Sequence, residues 1–367
     1  MNKVKSDRAP ALLQPGAVME PLDPARLDAR AIQAVQALLK QGESANTRAS
    51  YRSAVRYWLA WFQARYGQEM TPPVHPATVI QFIVDHAQHR GEGQEMHHQL
   101  PQQVDAALIA AGVKAKAGPM SLNTLKHRLA ALARLHRDRT LHSPTEEAAV
   151  RRLLSSVRRA YAKGGNLGDK KDALDADLLQ RLLATCEDTP LGVRDRALLS
   201  FGFATGGRRR SELASASFAQ LRTTSQGFDF DLAHSKTNQG GADRPENHKP
   251  LVGAAAAAMR SWLQLLAGIG ITAGPIFRRV RRGGLIGAPL TDSAVRRIVL
   301  RRCEAAGLEG EFSAHSLRSG FMTQAGRSGI PLAEAMAFSG HRDVKTALGY
   351  VQQGEMQNSA AARLLEE

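Results

Sequence analysis

The chain has 367 residues, 43% hydrophobic and 23% charged, the proportions of an ordinary globular protein with room for two domains that each bury a core. Its formal charge of +15, contributed mostly by arginine, points to a polyanionic partner, with nucleic acid ahead of an anionic membrane. Two isolated cysteines, Cys186 and Cys303, exclude a disulfide framework or a structural zinc site, and no apolar run reaches signal-core or membrane-span length, so a soluble cytoplasmic protein is expected.

Residues 1–24 carry Pro10, Pro15, Pro21 and Pro24 without a sustained period and read as an extended leader. A helix is expected over 27–39. Ser44 then offers a cap for a second helix, in which Tyr51, Val55, Trp58, Leu59 and Phe62 form an apolar stripe with Arg48, Arg52, Arg56 and Arg65 off it. A third helix spans 75–89, and the Gln-, Gly- and His-rich stretch 90–120 reads as a long loop with a weak helical segment. A fourth helix follows Ser121, with Leu125, Leu129 and Leu132 on one face, and a fifth spans 145–161. Residues 25–161 therefore form a small all-helical domain of a kind that can clasp DNA.

The polar, glycine-rich run 162–171 reads as a linker. Beyond it helices are expected at 177–186, 193–203, 253–267 and 292–306. Between them Phe228, Phe230 and Leu232 alternate as in a strand, and Lys249-Pro250-Leu251-Val252 is its returning partner across a polar turn. The second domain, 172–354, is thus mixed α/β, and the fold class is mainly α with a small antiparallel β-sheet. A tail, 355–367, follows a hinge signal at Gly354 and places Met356, Ala360 and Leu364 on one helical stripe, too short to stand alone in water.

The chemistry-bearing residues cluster in this second domain. Ala204-Thr205-Gly206-Gly207-Arg208-Arg209-Arg210-Ser211-Glu212-Leu213 sits where one helix stops and another starts. Arginines at a helix start call for an anion, and the alternative is a solvated basic turn. Lys236 falls near the tip of the strand pair. Arg278-Arg279-Val280-Arg281-Arg282 reads equally as a phosphate-backbone contact or a solvated loop. His315 and Arg318, three apart, share a helical face, His341 follows a turn at Gly340, and Tyr350 lies nine residues further on. The histidines lack a carboxylate or cysteine at ligand spacing and no His-Glu-x-x-His is present, so no metal site is expected.

Together these blocks resemble the tyrosine recombinase (phage integrase) family. Gly-Arg-Arg-Arg-Ser-Glu-Leu resembles its first arginine motif, and Ser235-Lys236-Thr237 its hairpin lysine. His315-x-x-Arg318-x-Gly320, Gly340-His341 and Tyr350 follow in order, over about residues 172–355. Counting back from Glu212, in the stiff helical register, selects Arg209 as the first arginine, with Arg208 the alternative given by counting from Gly206; Lys249 is the alternative to Lys236.

The resemblance implies a core-binding helical domain, a catalytic domain, and cleavage of DNA by Tyr350 to give a 3′-phosphotyrosyl link. Arg209 and Arg318 would hold the non-bridging oxygens, His341 would add a hydrogen bond, His315 would accept the phenolic proton and Lys236 would protonate the departing 5′ oxygen. No cofactor is implied, since the tyrosyl ester stores the bond energy and the arginines stand in for a divalent metal. The implied partners are double-stranded DNA with paired inverted half-sites and three further copies of the chain in a synaptic homo-tetramer, with the tail passed to a neighbour, no membrane, and a nucleoid-associated location. A type IB topoisomerase or telomere-resolving strand transferase would use much the same residues, and a DNA-binding regulator on a decayed scaffold is the non-enzymatic alternative.

Overall fold

A computed structural model of the chain describes residues 28–90, 96–164, 171–232 and 245–357. The backbone divides into two compact units, Met1–Asp169 and Lys170–Glu367, the division falling inside the glycine-rich run 162–171. Lys236, the leader and the tail from 358 lie outside the described residues.

The first unit is helical: α1 (Ala29–Gly42), α2 (Ala45–Tyr66), α3 (Pro76–His86), α4 (Gln102–Ala110), α5 (Leu122–Arg137) and α6 (Ala148–Lys163), with a short antiparallel pair β1 (His89–Arg90) and β2 (Met96–His97). The start signals act as read. Ser44 accepts the Thr47 N–H at 3.1 Å to begin α2, and Ser121 accepts the Thr124 N–H at 3.2 Å to begin α5. Leu125, Leu129 and Leu132 are buried as expected. The buried face of α2 differs from the predicted stripe: it is Ala54, Tyr57, Trp58 and Trp61, while Leu59 is 44% exposed. The aromatic rings decide the register, because Trp58 stacks on Phe82 at 3.7 Å and Trp61 meets the same ring edge-on at 5.0 Å.

The second unit runs α7 (Ala176–Ala184), α8 (Pro190–Ala204), α9 (Arg210–Ser215), β3 (Leu221–Thr224), β4 (Gly227–Asp231), β5 (His248–Val252), α10 (Gly253–Gly268), β6 (Arg278–Val280), β7 (Ile286–Pro289), α11 (Asp292–Ala305), α12 (Ser316–Arg327), α13 (Leu332–Ser339) and α14 (Val344–Gln357). The fold is mainly helical with small antiparallel sheets. β4 pairs with β5, Phe228 opposite Leu251 and Phe230 opposite Lys249, and β3 adds an edge strand to β4. The basic run at 278–282 is not a plain loop, for Arg278–Val280 pairs with Ile286–Pro289.

The core is built where α8 and α10 pack together, with Leu198, Phe201, Phe230, Trp262 and Phe277 fully enclosed. A buried carboxylate ties α8 to α11. Asp195, fully enclosed, takes the guanidinium of Arg194 at 2.6 Å and those of Arg301 and Arg302 at 2.7 Å each. A second, smaller cluster of Met322, Ala325, Ala335, Ala347 and Val351 joins α12, α13 and α14, and Tyr350 packs against it half-buried.

Two glycines set the α12–α14 contact. A Cβ on Gly326 would stand 2.2 Å from Val351 O, and one on Gly354 would stand 2.1 Å from Thr323 O, so the two backbones touch. Gly354, expected as a hinge, lies instead inside a helix that continues to Gln357.

Candidate active site

The turn between α8 and α9 is built from Gly206 (φ +98) and Gly207 (φ +70), in the left-handed region that glycine tolerates. A side chain on either would collide, at 2.4 Å with Phe338 O or at 2.3 Å with Arg318 Cα. The turn is therefore pressed against the end of α13 and the start of α12. This brings the first arginine block onto the His-x-x-Arg helix.

Within that turn the two arginines face different surroundings. Arg208 is 1% exposed, and its Nη2 donates to Phe338 O at 2.9 Å and Ser339 O at 3.0 Å. Arg209 is the N-cap of α9 and keeps 26% of its side chain in solvent. The Glu212 carboxylate accepts the Arg209 backbone N–H at 3.0 Å and its guanidinium at 2.7 Å, and stands 3.7 Å from Arg208. Burial raises the Glu212 pKa, but Arg208 and Arg209 outweigh it and hold the carboxyl below its usual range.

α12 begins at His315, its N-cap, which is exposed at the surface, while Arg318 is 2% exposed. Gly320 explains the glycine of that box, because a Cβ there would lie 1.8 Å from Leu174 O. Arg318 Nη1 donates to Ser339 O at 2.6 Å and Gly207 O at 3.2 Å, and its Nη2 is buried without an acceptor. Burial first, then Arg209 and Arg208, lower the Arg318 pKa to about 9, against a smaller opposing pull from Glu212 and Tyr350.

His341 follows Gly340, which closes α13 in the left-handed conformation. Its Nδ1 lies 2.7 Å from Ser339 Oγ, and its ring is 6.4 Å from that of Tyr350. Burial and the neighbouring Arg318 and Arg209 push its pKa down to about 3, and the same causes lower that of His315. Both imidazoles are thus neutral near pH 7.

Arg209, His315, Arg318, His341 and Tyr350 therefore meet on one face of the second unit, from four separate stretches of chain. Lys249, the alternative lysine, lies on β5 at 2% exposure, with Nζ donating to Glu246 O and to Ala337 O at 3.0 Å. Burial, then Arg208, lower its pKa to about 8. Two participants had gone unassigned in the sequence. Glu212 carries a usable signal, an acid three residues into a helix opened by an arginine. Ser339 carries none, since its partner is fixed only by the turn at Gly340.

Residues 172–356 match the model of the phage integrase family. The chain belongs to the phage integrase family. An integrase/recombinase xerD homolog of Selenomonas ruminantium is 32% identical over 240 residues, covering 64% of this chain and 69% of that relative. Tyrosine recombinase XerC of Xanthomonas campestris is 28% identical over 219 residues, 55% of this chain and 63% of the relative, so part of such relatives has no counterpart in the match. Among solved structures, the Tn1549 transposon integrase in complex with circular intermediate DNA superposes with a TM-score of 0.55 at 15% identity, over 89% of this chain and 97% of the other. A lambda integrase dimer bound to a COC′ core site gives 0.51 at 16% identity, over 88% and 94%. At that identity the likeness concerns the fold.

Proposed function

We propose that this integrase-family chain is a site-specific DNA recombinase that cuts and rejoins strands through a 3′-phosphotyrosyl intermediate on Tyr350. The observation that carries the reading is the buried Nη2 of Arg318, a cationic donor with no acceptor, in a cluster of Arg208, Arg209 and two histidines where Glu212 is the acidic group. A phosphodiester supplies the anion such a cluster calls for, and buried donors aimed at its oxygens act most strongly where charge develops. The arginine forks of Arg209 and Arg318 suit the two non-bridging oxygens.

Tyr350 Oη attacks the scissile phosphorus in line. The new O–P bond forms as the bond to the 5′ oxygen breaks, leaving a phosphotyrosyl end and a free 5′-hydroxyl. A phenol ordinarily keeps its proton to a pKa of about 10, so a base is needed, and His315, neutral near pH 7 and open to solvent, takes the proton. Lys236 gives a proton to the departing oxygen. Reversal with a different 5′-hydroxyl rejoins the strand elsewhere. The first unit, with Arg52 and Arg56 exposed on α2, clamps the duplex backbone, and paired inverted half-sites gather the copies of a tetramer.

A duplex nicked close to the cleavage site traps the intermediate and tests the reading. A covalent adduct formed in excess EDTA, with strands exchanged between two duplexes, is the expected result. Adduct formation with supercoil relaxation and no exchange would indicate a topoisomerase-like enzyme. Tight binding without adduct would indicate a DNA-binding regulator.

A further inference from the structure

The last turn of α13 ends on carbonyls that its own helix cannot satisfy. Met336 O takes the Gly340 N–H at 2.8 Å, and the next three carbonyls are taken by cations from other elements. Lys249 Nζ of β5 donates to Ala337 O at 3.0 Å; Arg208 Nη2 donates to Phe338 O at 2.9 Å and Ser339 O at 3.0 Å; Arg318 Nη1 donates to Ser339 O at 2.6 Å. Cations at a helix C-terminus are favoured by its dipole, and here they also fix where the chain turns toward His341. Lys249 is enclosed, its Nζ held by Glu246 O and Ala337 O and lying 5.1 Å from the Phe338 ring centre. A general acid must reach the leaving oxygen, and this ammonium faces the protein's own backbone instead.

Ser339 completes the connection. Its side chain is fully enclosed, with Oγ 2.7 Å from His341 Nδ1 and 3.4 Å from Met336 O, and we assign the hydroxyl proton to the shorter contact. A hydroxyl donating to Nδ1 keeps the imidazole proton on Nε2, the nitrogen left to face a phosphate. The opposite tautomer would present a lone pair to an anion.

We propose that Lys249 and Ser339 are positioning residues for His341: Lys249 ties the end of α13 to β5, and Ser339 sets the tautomer and direction of the ring. The inference rests on His341 donating to the scissile phosphate, as in the functional reading above. Lys249→Met and Ser339→Ala are each expected to slow single-turnover cleavage at saturating DNA by about tenfold or more, the scale for residues that orient a working histidine through its other ring nitrogen, with DNA affinity unchanged. In a His341→Ala background the same substitutions should add little, since residues acting through one another are not additive.

A duplex with sulfur in place of the bridging 5′ oxygen separates positioning from proton donation, because a thiolate leaves without being protonated. Lys236→Ala should regain cleavage on that duplex and Lys249→Met should not. Recovery of Lys249→Met on the sulfur duplex, or full additivity with His341→Ala, would overturn the proposal. Ser339→Ala removes one oxygen, with its long 3.4 Å contact to Met336 O, and keeps every cation–carbonyl contact, so it decides the matter if Lys249→Met does not fold. The ¹⁵N shifts of His341 give an independent reading: an Nε2-protonated ring in the wild-type protein that loses this preference in Ser339→Ala is expected, and an Nδ1-protonated ring contradicts the proposal. Tyr350→Phe run alongside keeps the two levels apart, since an adduct from that variant would sink the functional reading itself.

Discussion

Glu212 separates the two adjacent arginines. It orients Arg209, which stays partly in solvent, whereas Arg208 is turned inward onto the Phe338 and Ser339 carbonyls. Arg209→Ala should therefore cut the cleavage rate by about 10²–10³, the cost of an oxyanion donor, with DNA affinity near wild type and a smaller stability loss than Arg208→Ala, since Glu212 keeps Arg208 and the Arg209 backbone N–H. Arg208→Ala leaves a buried carboxylate short of a partner and two carbonyls without donors, and should lower unfolding stability by about 3 kcal/mol or more in urea titration. A stable Arg208→Ala protein that binds DNA and does not cleave would reverse the assignment. The register from Glu212 was readable in the sequence because a helix fixes spacing, whereas the inward turn of Arg208 depends on Gly206 and Gly207 meeting α13 and α12. That contact has no sequence signature beyond the glycines. A second residue-scale outcome concerns pH. His341 is held near 3 against an ordinary 6.5, so below 6.5 the unfolded chain takes up a proton that the folded chain refuses. Stability from this group is thus complete above pH 6.5 and is lost as pH falls toward 3. Thermal unfolding between about pH 6.5 and 5, before the ordinary carboxylate range, should show a decline that His341→Gln flattens; an unchanged slope would contradict the burial described here.

At the scale of elements, the position of Tyr350, the nucleophile we propose, is set by how closely α14 approaches α12. Gly354→Ala and Gly326→Ala each drive a methyl into a facing backbone and should destabilise by about 1–3 kcal/mol, slowing cleavage as Tyr350 shifts. Gly349→Ala is the control. Nothing lies within 4 Å of a Cβ there, and Ala should stabilise the helix by about 0.5–1 kcal/mol. If Gly354→Ala behaved like Gly349→Ala in chemical unfolding, the close crossing would be refuted. In the sequence Gly354 reads as a hinge because glycine signals both a break and a close approach, and only the facing helix tells them apart. Most helices were legible from caps and apolar spacing, but α4, which has no side-chain cap, read only as a weak segment inside a loop. The strands β3 and β6 were not legible, since β3 is exposed at a sheet edge in all but Leu221 and β6 is a run of arginines whose pairing lies in the backbone. The α2 register failed for a related reason. Tryptophan and tyrosine are counted alike by periodicity, but the Trp58–Phe82 stack settles which of them go inside.

For the whole molecule, the charge of +15 and the family membership point the same way. DNA affinity should fall steeply with salt, by about 10³–10⁵ between roughly 50 and 200 mM if about 6–10 phosphates are contacted. Arg52→Ala, on the exposed face of α2, should reduce the slope of log affinity against log salt by about 0.9 with little change in cleavage at saturating DNA. A salt-independent affinity would argue against the backbone clamp assigned to the first unit. The most direct test of the central claim is to isolate the DNA-linked peptide from a trapped cleavage reaction and locate the linkage by mass spectrometry. The account predicts a 3′-phosphate on Tyr350 in the wild-type protein and, for Tyr350→Phe, DNA binding with no linked peptide. A linkage on any other residue, or an adduct at wild-type yield from Tyr350→Phe, would contradict it.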